Sequence, residues 1–114
     1  MTDFSIRATS TDSECTVLAL AGDLDLAGAA AMRATASSAV QDPACSTVVL
    51  DVTELTFVDS TGIGTWVELR NQADQLGKRV ELRGVSQNLS RVLTIAGLLS
   101  LFGLEPGPPA PDPA

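Results

Sequence analysis

The chain contains no histidine. Imidazole is the usual general base and the commonest metal ligand near neutral pH, so neither kind of site can be built the usual way. There is no tyrosine and one tryptophan, and aromatics make up 4% of the 114 residues. The core must therefore be aliphatic and alanine-rich. Lys78 is the only lysine. The two cysteines, Cys15 and Cys45, lack CxxC spacing and are too few for a disulfide scaffold. They read as free thiols of a reducing cytoplasm. No GxxxxGK[ST] or GxGxxG phosphate loop occurs. No apolar run approaches the roughly 18 residues of a membrane-spanning helix. The start, Met-Thr-Asp-Phe-Ser, has neither the basic stretch nor the apolar core of a signal peptide.

Cations are scarce as well. Seven Lys and Arg face fourteen Asp and Glu, for a net charge of −7. Such a surface repels nucleic acid, whose affinity comes mainly from cations on phosphates. It is disfavoured at anionic membrane for the same reason. A basic protein partner fits, and so does plain solubility.

What is present is globular. Hydrophobic residues make up 45% and charged residues 18%, enough for one core in one domain. Strand and helix patterns alternate. Strands are expected over Phe4–Thr9, Cys15–Ala21 and Thr47–Val52, with Gly22 ending the second. The near-continuous apolar runs suggest strands covered on both faces or deeply buried. A polar link, Thr53–Thr56, leads to Phe57 and Val58. Helices are expected over Ala27–Val40, Thr61–Leu76 and Ser86–Ala96. The core faces are Ala29, Met32, Ala36 and Val40; Ile63, Trp66, Val67, Ala73 and Leu76; and Leu89, Val92, Leu93 and Ala96. Gly77 stands where a left-handed C-cap belongs. Val80 and Leu82 alternate with Arg79, Glu81 and Arg83 as a half-exposed strand. Leu98–Leu104 is apolar and could form a last short strand. The alternation implies an α/β fold with a partly parallel sheet. Residues 1–104 form the domain. Residues 105–114 hold five of the six prolines and read as a disordered tail, or as a proline-rich docking ligand.

The chemistry concentrates in Phe57-Val58-Asp59-Ser60-Thr61-Gly62-Ile63-Gly64. A helix starts here, and Asp59 and Ser60 are both good N-caps. Ser60 is therefore a plain cap or something more. A phosphoryl group on it would meet the free amides and positive end of the helix. It would also meet the neighbouring Asp59 carboxylate. The attraction and repulsion are of similar size, so phosphorylation should leave the fold intact and act on binding instead. Gly62 and Gly64 are poor helix formers. They suggest close backbone approach, either by a partner or by another element of the chain. Without histidine, and with Lys78 beyond the far end of this helix, Ser60 lacks a base and is not a catalytic nucleophile. Asp23, Asp25, Asp51 and Asp59 come from different loops without metal-site spacing and read as chance acidity. Neither metal nor cofactor is expected, and the chain reads as a binding module rather than an enzyme.

The run Phe57–Gly64, following Val-Val-Leu-Asp, resembles the STAS domain of bacterial anti-sigma factor antagonists. Gly22-Asp23-Leu24-Asp25 resembles that family's Gly-Glu-Leu-Asp turn, with Asp23 where Glu is common. Gly84-Val85-Ser86 through Ile95-Ala96-Gly97-Leu98 resembles its final helix. The proline-rich tail stands where the family has a longer last helix. The three motifs cover about residues 4–104. The resemblance implies a mixed sheet of four to five strands with three to four helices. It also implies binding to an anti-sigma factor, usually a serine kinase, by the unphosphorylated form, which frees a sigma factor. Phosphorylation of Ser60 by the kinase inactivates the antagonist, and a serine phosphatase reverses this. Asp25, Asp59, Ser60, Thr61 and Gly62 match the partner-binding positions; Asp25 reads otherwise as a cap of the helix that follows. The same fold without reversible phosphorylation, as a subunit of a transport or signalling assembly, is the alternative.

Overall fold

A computed structural model describes residues 3–11, 14–95 and 97–98. Four strands form one sheet in the order β1-β2-β3-β4: β1 (Ser5–Thr11), β2 (Cys15–Leu24), β3 (Thr47–Val58) and β4 (Arg79–Arg83). β1 is antiparallel to β2, while β2, β3 and β4 run parallel. Three helices follow the parallel strands: α1 (Leu26–Gln41), α2 (Ser60–Gln75) and α3 (Gln87–Ile95). The alternation of patterns along the chain thus becomes the mixed α/β architecture expected.

The core lies on one face of the sheet. Leu18 and Leu20 of β2, Val48, Leu50 and Val52 of β3, and Val80 and Leu82 of β4 point into it. Met32, Ala36 and Val40 of α1 and Trp66, Leu69 and Ala73 of α2 close it. The indole Nε1–H of Trp66 donates to the Met32 sulfur at 3.0 Å. Leu89 and Leu93 of α3 complete the cluster. Each leucine-sized side chain buried this way contributes about 1.5–3 kcal/mol.

The other face carries no helix among the described residues, so the apolar runs are not covered on both sides. Ala19 and Val49 are only partly buried there, although Val17 is buried, while Leu18, Leu20, Val48 and Leu50 on the core face are fully buried. Asp51 sits on this face. Its carboxylate accepts from the Thr53 hydroxyl at 2.6 Å, the Thr53 amide at 3.1 Å and Arg83 at 3.2 Å. These contacts, the Thr53 hydroxyl foremost, hold the Asp51 carboxyl below its ordinary range, against a smaller opposing effect of burial.

Several boundaries differ from the sequence reading. β2 does not stop at Gly22 but runs on to Leu24. Gly22 takes φ +85°, where a Cβ would collide with the Asp3 carbonyl. It is a point where the register with β3 shifts, not an end. Thr53–Thr56 is not a link but the middle of a continuous β3. Leu76 and Val92, which helical spacing places on core faces, are about half exposed, at 51% and 46%. α3 begins one residue later than expected, with the Ser86 hydroxyl accepting the Leu89 amide at 3.1 Å as its cap. Gly77, at φ +71°, does end α2 in the left-handed conformation. Ala96, the strand expected within Leu98–Leu104 beyond Leu98, and the tail 105–114 lie outside the described residues.

Candidate functional site at the carboxyl ends of β2 and β3

Parallel pairing sets Leu24 of β2 beside Val58 of β3. The residues that follow, Asp25 and Asp59, therefore stand side by side, and each opens a helix. Asp25 Oδ1 accepts the Gly28 amide at 3.1 Å and caps α1. Asp59 Oδ1 accepts the Gly62 amide at 3.0 Å and caps α2. The Asp59 amide donates to the Leu24 carbonyl at 3.2 Å, which ties the two helix starts together. Thr56 Oγ1 donates to Asp23 Oδ1 at 2.6 Å and links the same two strands just below.

This geometry corrects the role open to Ser60. Asp59 is the cap; Ser60 is the first helical residue of α2. Its side chain is exposed, and among the described residues its hydroxyl makes no hydrogen bond. The capping carboxylate holds the Gly62 amide, and the Asp59 carbonyl takes the Ile63 amide at 3.0 Å. The amides of Ser60 and Thr61 remain as unpaired donors of the first turn among the described residues. Thr61 is half-buried, and its carbonyl accepts from Thr65 Oγ1 at 2.9 Å.

The two glycines part company. A Cβ on Gly62 would lie 2.7 Å from Val58 Cγ2, 2.8 Å from Leu24 Cγ and 3.0 Å from the Leu24 carbonyl oxygen. Gly62 therefore serves close packing of α2 on the strand ends of its own chain. A Cβ on Gly64 would meet nothing within 4 Å. Close internal approach does not explain Gly64.

The five residues picked from sequence, Asp25, Asp59, Ser60, Thr61 and Gly62, thus come together at one end of the sheet. Lys78 does not join them. It precedes β4 at the opposite end, where its ammonium donates to the carbonyls of Val40 and Asp42. Among the described residues, no group of three or more His, Cys, Asp or Glu could hold a metal ion. One apolar neighbour escaped the sequence reading: Leu26, the first residue of α1 and the counterpart of Ser60, is 75% exposed. Phe57, which opens the run singled out from sequence, is 52% exposed. An apolar residue directly after a capping aspartate was the available signal for Leu26.

The profile of the family described as "Mlab, STAS domain" matches residues 8–103. The chain belongs to the STAS family. Solved STAS structures share its fold. The Bacillus cell fate determinant SpoIIAA in its phosphorylated form is 25% identical, with a TM-score of 0.68 over 87% of each chain. An anti-sigma factor antagonist from Mycobacterium paratuberculosis is 22% identical, with a TM-score of 0.72 over 91% of this chain and 86% of that one. The STAS domain of a SulP transporter from Vibrio cholerae is 26% identical, with a TM-score of 0.63 over 83% of this chain and 72% of that one. The STAS domain described here is thus similar both to antagonists and to a transporter module.

Proposed function

We propose that this STAS domain is a cytoplasmic anti-sigma factor antagonist switched by phosphorylation at Ser60. Unphosphorylated, it binds an anti-sigma factor of the serine-kinase type, and a sigma factor is released. Phosphorylation of Ser60 by that kinase ends the binding, and a serine phosphatase restores it. The partner meets Asp25, Asp59, Ser60, Thr61 and Gly62, at the joined starts of α1 and α2.

One observation carries this reading: the Ser60 hydroxyl is exposed and unbonded because Asp59 does the capping. A phosphoryl group can be added without breaking a contact of the fold. The free amides of Ser60 and Thr61 would donate to its oxygens, worth about 0.3–1 kcal/mol at an exposed helix start. The Asp59 carboxylate opposes it by a similar amount. Under a bound partner the same dianion would be desolvated without a counter-charge, which costs on the order of several kcal/mol. Each 1.4 kcal/mol is about tenfold in affinity. The test is affinity capture from cell extract with the Ser60→Ala and Ser60→Asp forms. A serine-kinase-type anti-sigma factor should be retained by Ser60→Ala and lost with Ser60→Asp. Equal retention by both would overturn the switch.

A second reading rests on the SulP domain, whose 26% identity matches that of SpoIIAA at 25%. It makes the chain part of a transport assembly without reversible phosphorylation. Capture of transporter subunits regardless of the residue at position 60 would favour it. Among the described residues no helix is long and apolar enough to cross a membrane.

A further inference from the structure

β3 outruns its neighbour. It pairs with β4 only from Thr47 to Asp51, although it continues to Val58. Beyond Asp51 its outer edge has no strand beside it among the described residues. α3 crosses near this edge, and between the two lies a groove of about 310 Å³. Its apolar walls are Val52, Leu55, Phe57 and Val58 from β3 and Leu89 and Val92 from α3, and the polar Thr56, Ser86 and Asn88 complete the lining. Phe57 and Val92 are 52% and 46% exposed, so an aromatic ring and a branched side chain open onto solvent across a concave apolar surface.

The groove borders the site already described. Val58 lines it and stands two residues before Ser60. Thr56, another lining residue, donates to Asp23 Oδ1 at 2.6 Å, and Asp59 directly follows Val58, so two carboxylates border the groove. Among the described residues the cations nearby are few: Arg83 is paired with Asp51 at 3.2 Å, and Arg91 on α3 has no ion pair. Lys78 and Arg79 lie at the opposite end of the sheet. The result is a mostly apolar slot bordered by carboxylates.

We infer that this groove, anchored by Phe57 and Val92, seats an apolar segment of the anti-sigma factor whose flanks carry Arg or Lys. The inference rests on the proposed function and adds a second contact region to it. Apolar anchors in a concave pocket give affinity. Opposite charges at the rim give orientation and association rate. The unpaired edge of β3 offers backbone donors and acceptors to an extended segment. The arrangement also gives the switch a physical means: a phosphate on Ser60 holds water at the border of the slot that the apolar segment must dry.

The test uses the full chain and its cognate kinase, with calorimetry and phosphorylation kinetics on wild type, Phe57→Ala, Val92→Ala and Leu76→Ala. Leu76 is a comparably exposed apolar residue at the far end of α2. Phe57→Ala and Val92→Ala should each weaken binding by about tenfold or more, in the range of interface anchors. They should raise KM for phosphorylation by a similar factor and leave kcat unchanged. Leu76→Ala should match wild type, and wild-type affinity should fall as salt is raised. If wild type binds the kinase and Phe57→Ala and Val92→Ala bind it equally well, the groove is not the seat, while the proposed function stands. If wild type binds no kinase, both fail. Self-association of wild type that Phe57→Ala abolishes would assign the groove to a second copy and overturn the inference.

Discussion

The backbone amide of Asp59 donates to the carbonyl of Leu24 at 3.2 Å. This bond joins the start of α2 to the end of β2, thirty-five residues earlier in the chain. It makes the two capping turns one structural unit. Asp25 and Asp59 each cap a helix within it, and Ser60 is carried outward on its rim.

The cap assignment is tested by truncation. Asp59→Ala leaves the Gly62 amide without its acceptor, at a cost of about 1 kcal/mol. The melting temperature should fall by roughly 4 °C, the scale for a domain near this size. Ser60→Ala removes no hydrogen bond and should lie within about 0.5 kcal/mol of wild type. Thermal denaturation followed by circular dichroism compares the two. A larger loss for Ser60→Ala than for Asp59→Ala would reverse the assignment.

Gly62 and Gly64 should respond with opposite signs. The Cβ of Gly62→Ala meets Leu24 and Val58 at 2.7–3.0 Å, and overpacking of this kind costs about 1–3 kcal/mol. Gly64→Ala meets nothing within 4 Å and exchanges glycine for the best helix former, a gain of up to about 1 kcal/mol. Urea unfolding midpoints measure both. Equal shifts would contradict the packing described.

A dianion mimic at position 60 should separate binding from folding. Ser60→Asp is expected to melt within a few degrees of wild type, since the charge sits at an exposed helix start. Its affinity for the kinase should fall by about tenfold or more. Unchanged affinity in calorimetry would remove the electrostatic basis of the switch.

Acid sensitivity should trace partly to Asp51. Its folded pKa is lowered, the Thr53 hydroxyl being the first cause. A carboxyl lowered on folding adds stability that is complete above its unfolded pKa of about 3.9. That stability is lost as pH falls from there through the lower folded value. Thr53→Ala should raise the Asp51 pKa, read by carbon-detected NMR titration, and Asp51→Asn should flatten the acid limb of stability. An Asp51 pKa indifferent to Thr53→Ala would contradict the contact.

Helical periodicity made α1 and α2 legible from sequence: Met32, Ala36 and Val40, and Trp66 and Ala73, recur at the spacing that buries one face. The buried strands were legible where both neighbours exist. They were not legible where a neighbour ends. Thr53, Glu54 and Thr56 read as a loop because β3 there has lost β4, and exposed polar side chains no longer alternate cleanly with apolar ones. Gly22 read as a stop because a positive φ at glycine serves a turn and a mid-strand shift alike. Within the site, the residues were found but their division of labour was not. Asp59 and Ser60 are both good caps by type, and only backbone position decides that Asp59 caps and Ser60 is free. Val92 read as core by spacing, because periodicity cannot tell a helix face against the core from one lining an open groove.

The most direct measurement is intact mass after incubation with a cognate anti-sigma kinase and ATP, run on wild type and Ser60→Ala. Wild type should gain a single phosphoryl group and Ser60→Ala none. Phosphorylation of Ser60→Ala to the wild-type level, or none on wild type by a kinase that binds it, would contradict Ser60 as the switch.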